Sequence, residues 1–305
     1  LSGHFLDARP LSKAPLDQPG IGVRKGDYLI EIEGQNVTSE KNLYAYLRGR
    51  SNRPTKVKFS TYPDGSGARE YTVVPTPGEN TLRLSNWIEE NRKWVEEKSD
   101  GKLAYVHLSG YNPDGFDAAF RTLNGLRPGQ GLIWDQRFNG GGVTSDALID
   151  ALRRQPMLGY LYRYGDPYDV PAHRLDGPVV LIANYANGSA AETFASMFKA
   201  MKVGSIVGTQ TYGGGIGTAL TQQTLIDGGQ IGIPNRAGHN PLVGTWEIEN
   251  EGVRPDIEID ITTADFVAGR DSQLEKAVEL ALKQLAGWKV RELKRPKYPI
   301  HPPGG

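Results

Sequence analysis

The sequence predicts an α/β fold built on a mostly parallel, buried sheet, preceded by a smaller unit with its own pattern. Two observations carry this. From Leu103 onward strand-like apolar runs alternate with helical stretches, and runs such as Val179-Val-Leu-Ile-Ala183 are apolar throughout, as strands covered on both faces must be. Before Thr76 the pattern is instead one of short strands, tight turns and a single short helix.

In the first unit, Pro19-Gly-Ile-Gly leads into a strand with Leu29, Ile30 and Ile32, then a Glu-Gly-Gln turn. A short helix follows, with Ser39 as its cap and Leu43, Tyr44 and Leu47 on one face. Lys56-Val-Lys-Phe-Ser-Thr61, a turn at Pro63-Asp-Gly65 and Glu70-Tyr-Thr-Val-Val74 complete it, and Gly3 to Pro10 remain for a leading strand. Pro75-Thr-Pro-Gly78 reads as a linker, and Ser85–Lys98 as an amphipathic helix. The larger unit then offers strands at Leu103–Leu108, Gly131–Asp135, Pro178–Ala183 and Lys202–Gly208. Helices are expected near Gly115–Leu126, Ser145–Arg154, Ala190–Ala200 and Ser272–Leu285. The expected division is 1–77, 78–102, 103–288 and a basic, proline-rich arm over 289–305.

Composition removes several function classes. Lys plus Arg and Asp plus Glu both number 35, so no net charge draws the chain to nucleic acid or anionic membrane. No apolar run reaches the roughly 18 residues of a membrane helix. Cysteine is absent, which excludes disulfides, thiolate metal sites and cysteine nucleophiles, and the five histidines are dispersed, so no metal or other cofactor is implied. The chain opens at Leu1 without a signal-peptide pattern and is read as the C-terminal part of something longer. The expected compartment is cytoplasmic, with periplasm or secretion left open.

Three segments carry chemistry: Asn139-Gly-Gly-Gly142, Asn187-Gly-Ser189-Ala-Ala-Glu192 and Glu249-Asn-Glu-Gly-Val-Arg-Pro-Asp256. Ser189 falls between a strand and a helix start, where free N–H groups and the helix dipole favour developing negative charge. A serine there is first of all a helix cap. The glycine run changes the reading. It follows strand Gly131–Asp135, and neighbouring parallel strands end on one edge, so Gly140, Gly141 and Gly142 are expected to face Ser189. The N–H groups of Gly142 and Ala190 then make a candidate oxyanion hole.

Taken with Asp135-Gln-Arg-Phe and Gly208-Thr-Gln-Thr-Tyr-Gly-Gly-Gly215, these blocks resemble the tricorn core proteases, in the superfamily of the C-terminal processing peptidases. The Gly26-Asp-Tyr-Leu to Val37 stretch resembles a PDZ domain, which binds extended peptides at a sheet edge. The resemblance spans about Gly20 to Leu285. It implies a PDZ domain followed by a crotonase-like ββα spiral, Ser189 as nucleophile, Gly142 and Ala190 as oxyanion donors, and Glu249 as the acidic member of a tetrad. Glu247 is the competing choice for that acid. Substrate is expected along Gly140, Gly141, Gly213 and Gly214, where missing side chains admit another backbone. Expected partners are unfolded peptides and further copies of the chain.

Two departures matter. The processing peptidases place a lysine base about two dozen residues after the serine; Gly214 stands there, so a Ser-Lys dyad is ruled out. The tricorn branch instead implies a histidine from a domain ahead of the PDZ unit. Among His4, His107, His173, His239 and His301 only His239, ten residues before Glu249, stays as a candidate base. Secondly, Leu161 in Leu158-Gly-Tyr-Leu161 stands where the archaeal tricorn protease has a carboxylate selecting basic residues. A buried leucine there favours an apolar side chain. Two other classes remain beside the peptidase: a binding protein for peptides or hydrophobic ligands with a degenerate site, and an acyl-thioester enzyme. For the second, no basic cluster stands out along the sequence that would supply an adenine-nucleotide site.

Overall fold

The computed structural model describes residues 14–143, 145–162, 164–165, 167–171, 174–217, 222–241, 243–290 and 296–297. The expected leading strand, His4, His173, His301 and most of the C-terminal arm lie outside the described residues. The chain divides into two compact units, Leu1–Glu90 and Asn91–Gly305.

The first unit contains β1 (Tyr28–Ile32), β2 (Gln35–Asn36), α1 (Leu43–Tyr46), β3 (Thr55–Ser60) and β4 (Arg69–Val73). Its antiparallel sheet has the order β2-β1-β3-β4. Glu33 and Gly34 both take positive φ, 48° and 77°, which is the mirror-image turn that joins twisted antiparallel strands in two residues. Ile32, Tyr46, Val57 and Val73 form the core. The cap of α1 differs from expectation: Asn42 holds the N-cap, its side-chain oxygen accepting from Tyr44 N at 2.9 Å. Asparagine outcompetes Ser39 because it stands at the first non-helical position. Asn42→Ala is expected to cost this unit about 1 kcal/mol in a chemical melt, and Ser39→Ala almost nothing.

Helix α2 (Asn80–Lys98) begins at Asn80 rather than Ser85. The second unit then runs through β5 (Leu103–His107), α3 (Pro113–Gly125), β6 (Gly131–Asp135), α4 (Asp146–Leu152), the hairpin β7 (Leu158–Tyr160) and β8 (Tyr168–Val170), β9 (Val179–Ala183), α5 (Ala190–Ala200) and β10 (Ser205–Gly208). Two small hairpins follow, β11 (Gln222–Thr224) with β12 (Gln230–Gly232) and β13 (His239–Asn240) with β14 (Thr245–Trp246), then β15 (Ile257–Glu258), α6 (Thr263–Val267) and α7 (Ser272–Ala286). Strands β15-β10-β9-β6-β5 form one sheet, every pairing parallel. Leu132, Trp134, Val179 and Leu181 point into one cluster with α3, α4 and α5. The alternate residues Ile133, Val180 and Ile182 fall on the other face, where α7 crosses β6, β9 and β10. Trp134 stacks on Phe194 of α5 with ring centroids 5.2 Å apart, tying that helix to β6.

One polar brace interrupts this core at the end of β6. Arg137, fully buried, pairs with Asp135 at 2.7 Å and with Asp271, the N-cap of α7, at 2.8 Å. Tyr105 donates its hydroxyl to Asp135 at 2.9 Å, and the His107 ring bonds Arg137 O at 2.9 Å. Burial opposes ionisation of Asp135, yet Arg137 outweighs it and holds the carboxyl below its ordinary range. Burial drives the His107 ring the other way, below its ordinary value, so it stays neutral. The brace fixes the chain where the glycine-rich loop begins.

Candidate active site

Parallel pairing of β6 with β9, and of β9 with β10, delivers three loops to the same sheet edge. A frame of buried amides locks them together. Asn139 donates to Leu108 O at 2.9 Å and accepts from Gly141 N at 2.9 Å. Asn187 donates to Asn139 O at 3.2 Å and also to Gln136 O, while Gly188 N reaches Asn139 O at 3.2 Å. Gln136 accepts the Tyr111 hydroxyl at 2.8 Å and donates to Ala191 O at 3.1 Å. The first two loops are thus cross-bonded through groups that have no water to fall back on.

Gly141 and Gly142 are glycine for two separate reasons. Both take positive φ, 112° and 142°. A Cβ on Gly141 would stand 2.7 Å from Ser189 Cβ, and one on Gly142 would stand 2.1 Å from Tyr111 O. The triglycine turn therefore lies directly against Ser189. Gly140 differs: a Cβ there meets nothing within 4 Å. Backbone bonds from Tyr111 N to Gly141 O (2.9 Å) and from Val143 N to Tyr111 O (2.8 Å) hold the turn, leaving the N–H groups of Gly142 and Ala190 without an acceptor among the described residues.

Ser189 is exposed and sits at the N-cap of α5, where it forms a capping box with Glu192. Its backbone is at φ 52°, ψ −120°, and Ala191 N bonds Gly188 O at 3.0 Å. These are the dihedrals of the second residue of a type II′ turn, a place glycine normally takes. A side chain held there costs on the order of 1–3 kcal/mol and persists only where the surroundings impose it.

What imposes it is Glu192, a residue whose role the sequence reading passed over. Its fully buried carboxylate accepts from Thr211 Oγ1 at 2.6 Å, Gly213 N at 2.6 Å, Gly214 N at 2.8 Å and Ser189 N at 3.1 Å. Gly214 O in turn accepts from Ser189 N at 3.1 Å. One carboxylate thereby fastens the third loop onto the Ser189 turn. Its signal was present as Ser-x-x-Glu, the spacing by which a side chain three residues into a helix reaches back to the cap N–H.

Glu249 grips the far side of the same glycine turn, its Oε2 accepting from Gly215 N at 2.8 Å and Ile216 N at 2.9 Å. Its Oε1 has no hydrogen bond among the described residues. Glu247 is engaged elsewhere, by Ser196 Oγ at 3.2 Å and Asn240 Nδ2 at 2.8 Å. The structure thus brings Gly140, Gly141, Gly142, Ser189, Ala190, Gly213, Gly214 and Glu249 to one place. Leu161 is not drawn in by any hydrogen bond. It follows β7 and is 36 % exposed, so the expectation of a buried leucine fails: the β7–β8 hairpin stands outside the main sheet and has no layer to cover it. Of the histidines, His107 is consumed in the brace and His239 lies edge-on to Trp246, its ring centroid 6.1 Å away. No group of His, Asp and Glu among the described residues could hold a metal ion.

Residues 5–77 match the tricorn protease PDZ domain, and residues 102–259 match peptidase family S41. The chain is 36 % identical over 277 residues to tricorn protease homolog 1 of Streptomyces coelicolor, covering 90 % of this chain and 26 % of that protein. It is 31 % identical over 286 residues to the tricorn protease of Thermoplasma acidophilum, covering 93 % and 26 %. A crystal structure of the tricorn protease superposes with a TM-score of 0.81 at 28 % identity, over 92 % of this chain and 27 % of that one. The chain spans about a quarter of the length of these relatives. With the match to the family running through both glycine turns, Ser189 and Glu249, the chain belongs to peptidase family S41, the serine peptidases, and carries a tricorn-type PDZ unit ahead of the peptidase unit.

Proposed function

We propose that this chain is the catalytic part of a serine endopeptidase acting on unfolded peptides, with Ser189 as nucleophile. The observation that carries the reading is the Ser189 turn: a strained, exposed serine beside two unengaged N–H groups. In the proposed reaction Ser189 Oγ bonds to the scissile carbonyl carbon while its proton passes to a base. The N–H groups of Gly142 and Ala190 hold the oxyanion, a contribution of roughly two to three orders of magnitude per donor. The base returns the proton to the leaving amine as the C–N bond breaks, and water then releases the acyl group. Glu249 keeps one oxygen on the glycine turn and offers the other toward the base, which is a histidine supplied from outside the described residues. The binding-protein alternative gains nothing from an exposed serine held in strain.

The peptide strand is proposed to lie along Gly140, Gly141, Gly213 and Gly214. Leu161 and the tyrosines of the β7–β8 hairpin offer apolar and aromatic contacts, and the hairpin's Asp169 is paired with Arg174, so apolar or aromatic residues are favoured before the cut. A fluorogenic peptide panel tests both points. The 305-residue chain by itself should turn over feebly, since a serine without a base is a poor nucleophile at neutral pH. Turnover that disappears in His239→Ala would make His239 the base, and a preference for basic residues would remove Leu161 from the pocket.

Stability separates the nucleophile from a helix cap. Ser189→Ala should abolish activity and cost no more than the ~1 kcal/mol of a cap contact, whereas a serine that only caps would lose that stability with activity unchanged. Ser189→Gly should stabilise by about 1 kcal/mol, because glycine takes this conformation without strain.

A further inference from the structure

The sheet edge opposite Ser189 carries a cavity of about 370 Å³ at the N-terminal ends of β9 and β10. Arg153, Arg154, Arg174 and Lys202 line it with Trp288, and Asp176 is the one carboxylate among its lining residues. In a chain with equal numbers of acidic and basic residues this is a local concentration of positive charge. Among the described residues lining it, only Arg174 has an ion-pair partner. Arg153 reaches only Met201 Sδ at 3.4 Å, Arg154 lies 5.9 Å from the centre of the Phe120 ring, and Lys202 has no ion pair among the described residues. Arg174 is held loosely, 3.5 Å from Asp169. Trp288 is 45 % exposed, yet its indole N–H donates to Asp176 O at 3.0 Å, which fixes the ring as one wall.

Cations at helix C-termini complement the helix dipole, and that accounts for Arg153 at the end of α4 and Lys202 just past α5. Arg174 is placed by Asp169 and by Pro171 O, at 3.5 and 3.4 Å, so what the helix ends and these contacts leave unexplained is an aromatic wall set beside the cations. We propose that this cavity binds a small phosphate-bearing anion. Guanidinium forks match phosphate oxygens in a way that a single ammonium does not, and the volume is that of a small-ligand site. The ring of Trp288 provides a face for a flat group carried on the phosphate. The site stands apart from the peptidase reading, at the other end of α5 from Ser189, and needs no activity to be seen.

Isothermal titration of the chain with pyrophosphate and with adenosine monophosphate tests it. Both probes should bind, more weakly as salt is raised. The double variant Arg153→Gln, Arg154→Gln should lose about tenfold or more, with an unchanged melt because both side chains reach solvent. If that variant fails to fold, Lys202→Gln alone should still weaken binding severalfold. Trp288→Leu distinguishes the sources of phosphate. A loss for the nucleotide alone marks a nucleotide site, and equal retention of both probes marks a site for free phosphate. The proposal is overturned if neither probe binds below about 10 mM, or if the Arg153→Gln, Arg154→Gln double variant and Lys202→Gln bind as the wild type does.

Discussion

Glu192→Ala is expected to be among the most destabilising single substitutions in the second unit, at roughly 3–5 kcal/mol. The carboxylate satisfies four donors at once, and its removal strands Gly213 N, Gly214 N and the Thr211 hydroxyl, while Ser189 N is left with Gly214 O alone. Each stranded donor costs on the order of 1–3 kcal/mol before relaxation, and the loops here have little freedom to reach water. Glu192→Gln should cost about half as much. Its carbonyl can still serve one pair of donors, but its NH₂ would then face N–H groups on the other side. Urea melts followed by the fluorescence of Trp134, which stacks on Phe194 of the same helix, read this unit. Faster amide exchange at Gly213 and Gly214 should accompany the loss. An alanine variant as stable as the wild type would mean that the glycine turn is held by something other than Glu192.

The second large effect belongs to Gly142. Alanine there places Cβ 2.1 Å from Tyr111 O and 2.7 Å from Tyr111 C, both backbone atoms that cannot swing aside, at a φ of 142° that side chains avoid. The turn must open, breaking the bridge between Tyr111 and Gly142 and turning the Gly142 N–H away from Ser189. Activity of the full-length protein should fall by about two to three orders of magnitude, the weight of one oxyanion donor. Gly140→Ala is the control, since its Cβ would stand in open space. Its kcat should stay near wild type, with any effect falling on KM through the proposed substrate strand. If the two variants behaved alike, the N–H of Gly142 would not be special.

The contrast between these glycines shows where the sequence was legible and where it was not. The triglycine run points to a close approach of backbone, and the order of strands and helices brings it to Ser189. Which glycine is irreplaceable depends on Tyr111, a residue of the β5–α3 connection that no local pattern ties to the loop. The same holds for Glu192. Its spacing from Ser189 announces a capping interaction, but three of its four donors lie about twenty residues away on the loop after β10. Strands β6 and β9 were readable because burial on both faces leaves little choice of residue. The β7–β8 hairpin was not, because nothing in Leu158-Gly-Tyr-Leu161 says that its strand pairs outside the main sheet. In the first unit, the cap of α1 was misplaced because Ser39 and Asn42 are both good caps. Only the path of the chain decides between them.

A crystal structure of the protein with a peptidyl boronate tests the central claim most directly, since a boronate records the geometry of a tetrahedral adduct without turnover. The account predicts a bond from boron to Ser189 Oγ. One boronate oxygen should lie within about 3.1 Å of both Gly142 N and Ala190 N, with Ser189 still in its strained conformation. An adduct on another residue, or a Ser189 adduct whose oxygen points away from these two N–H groups, would contradict it.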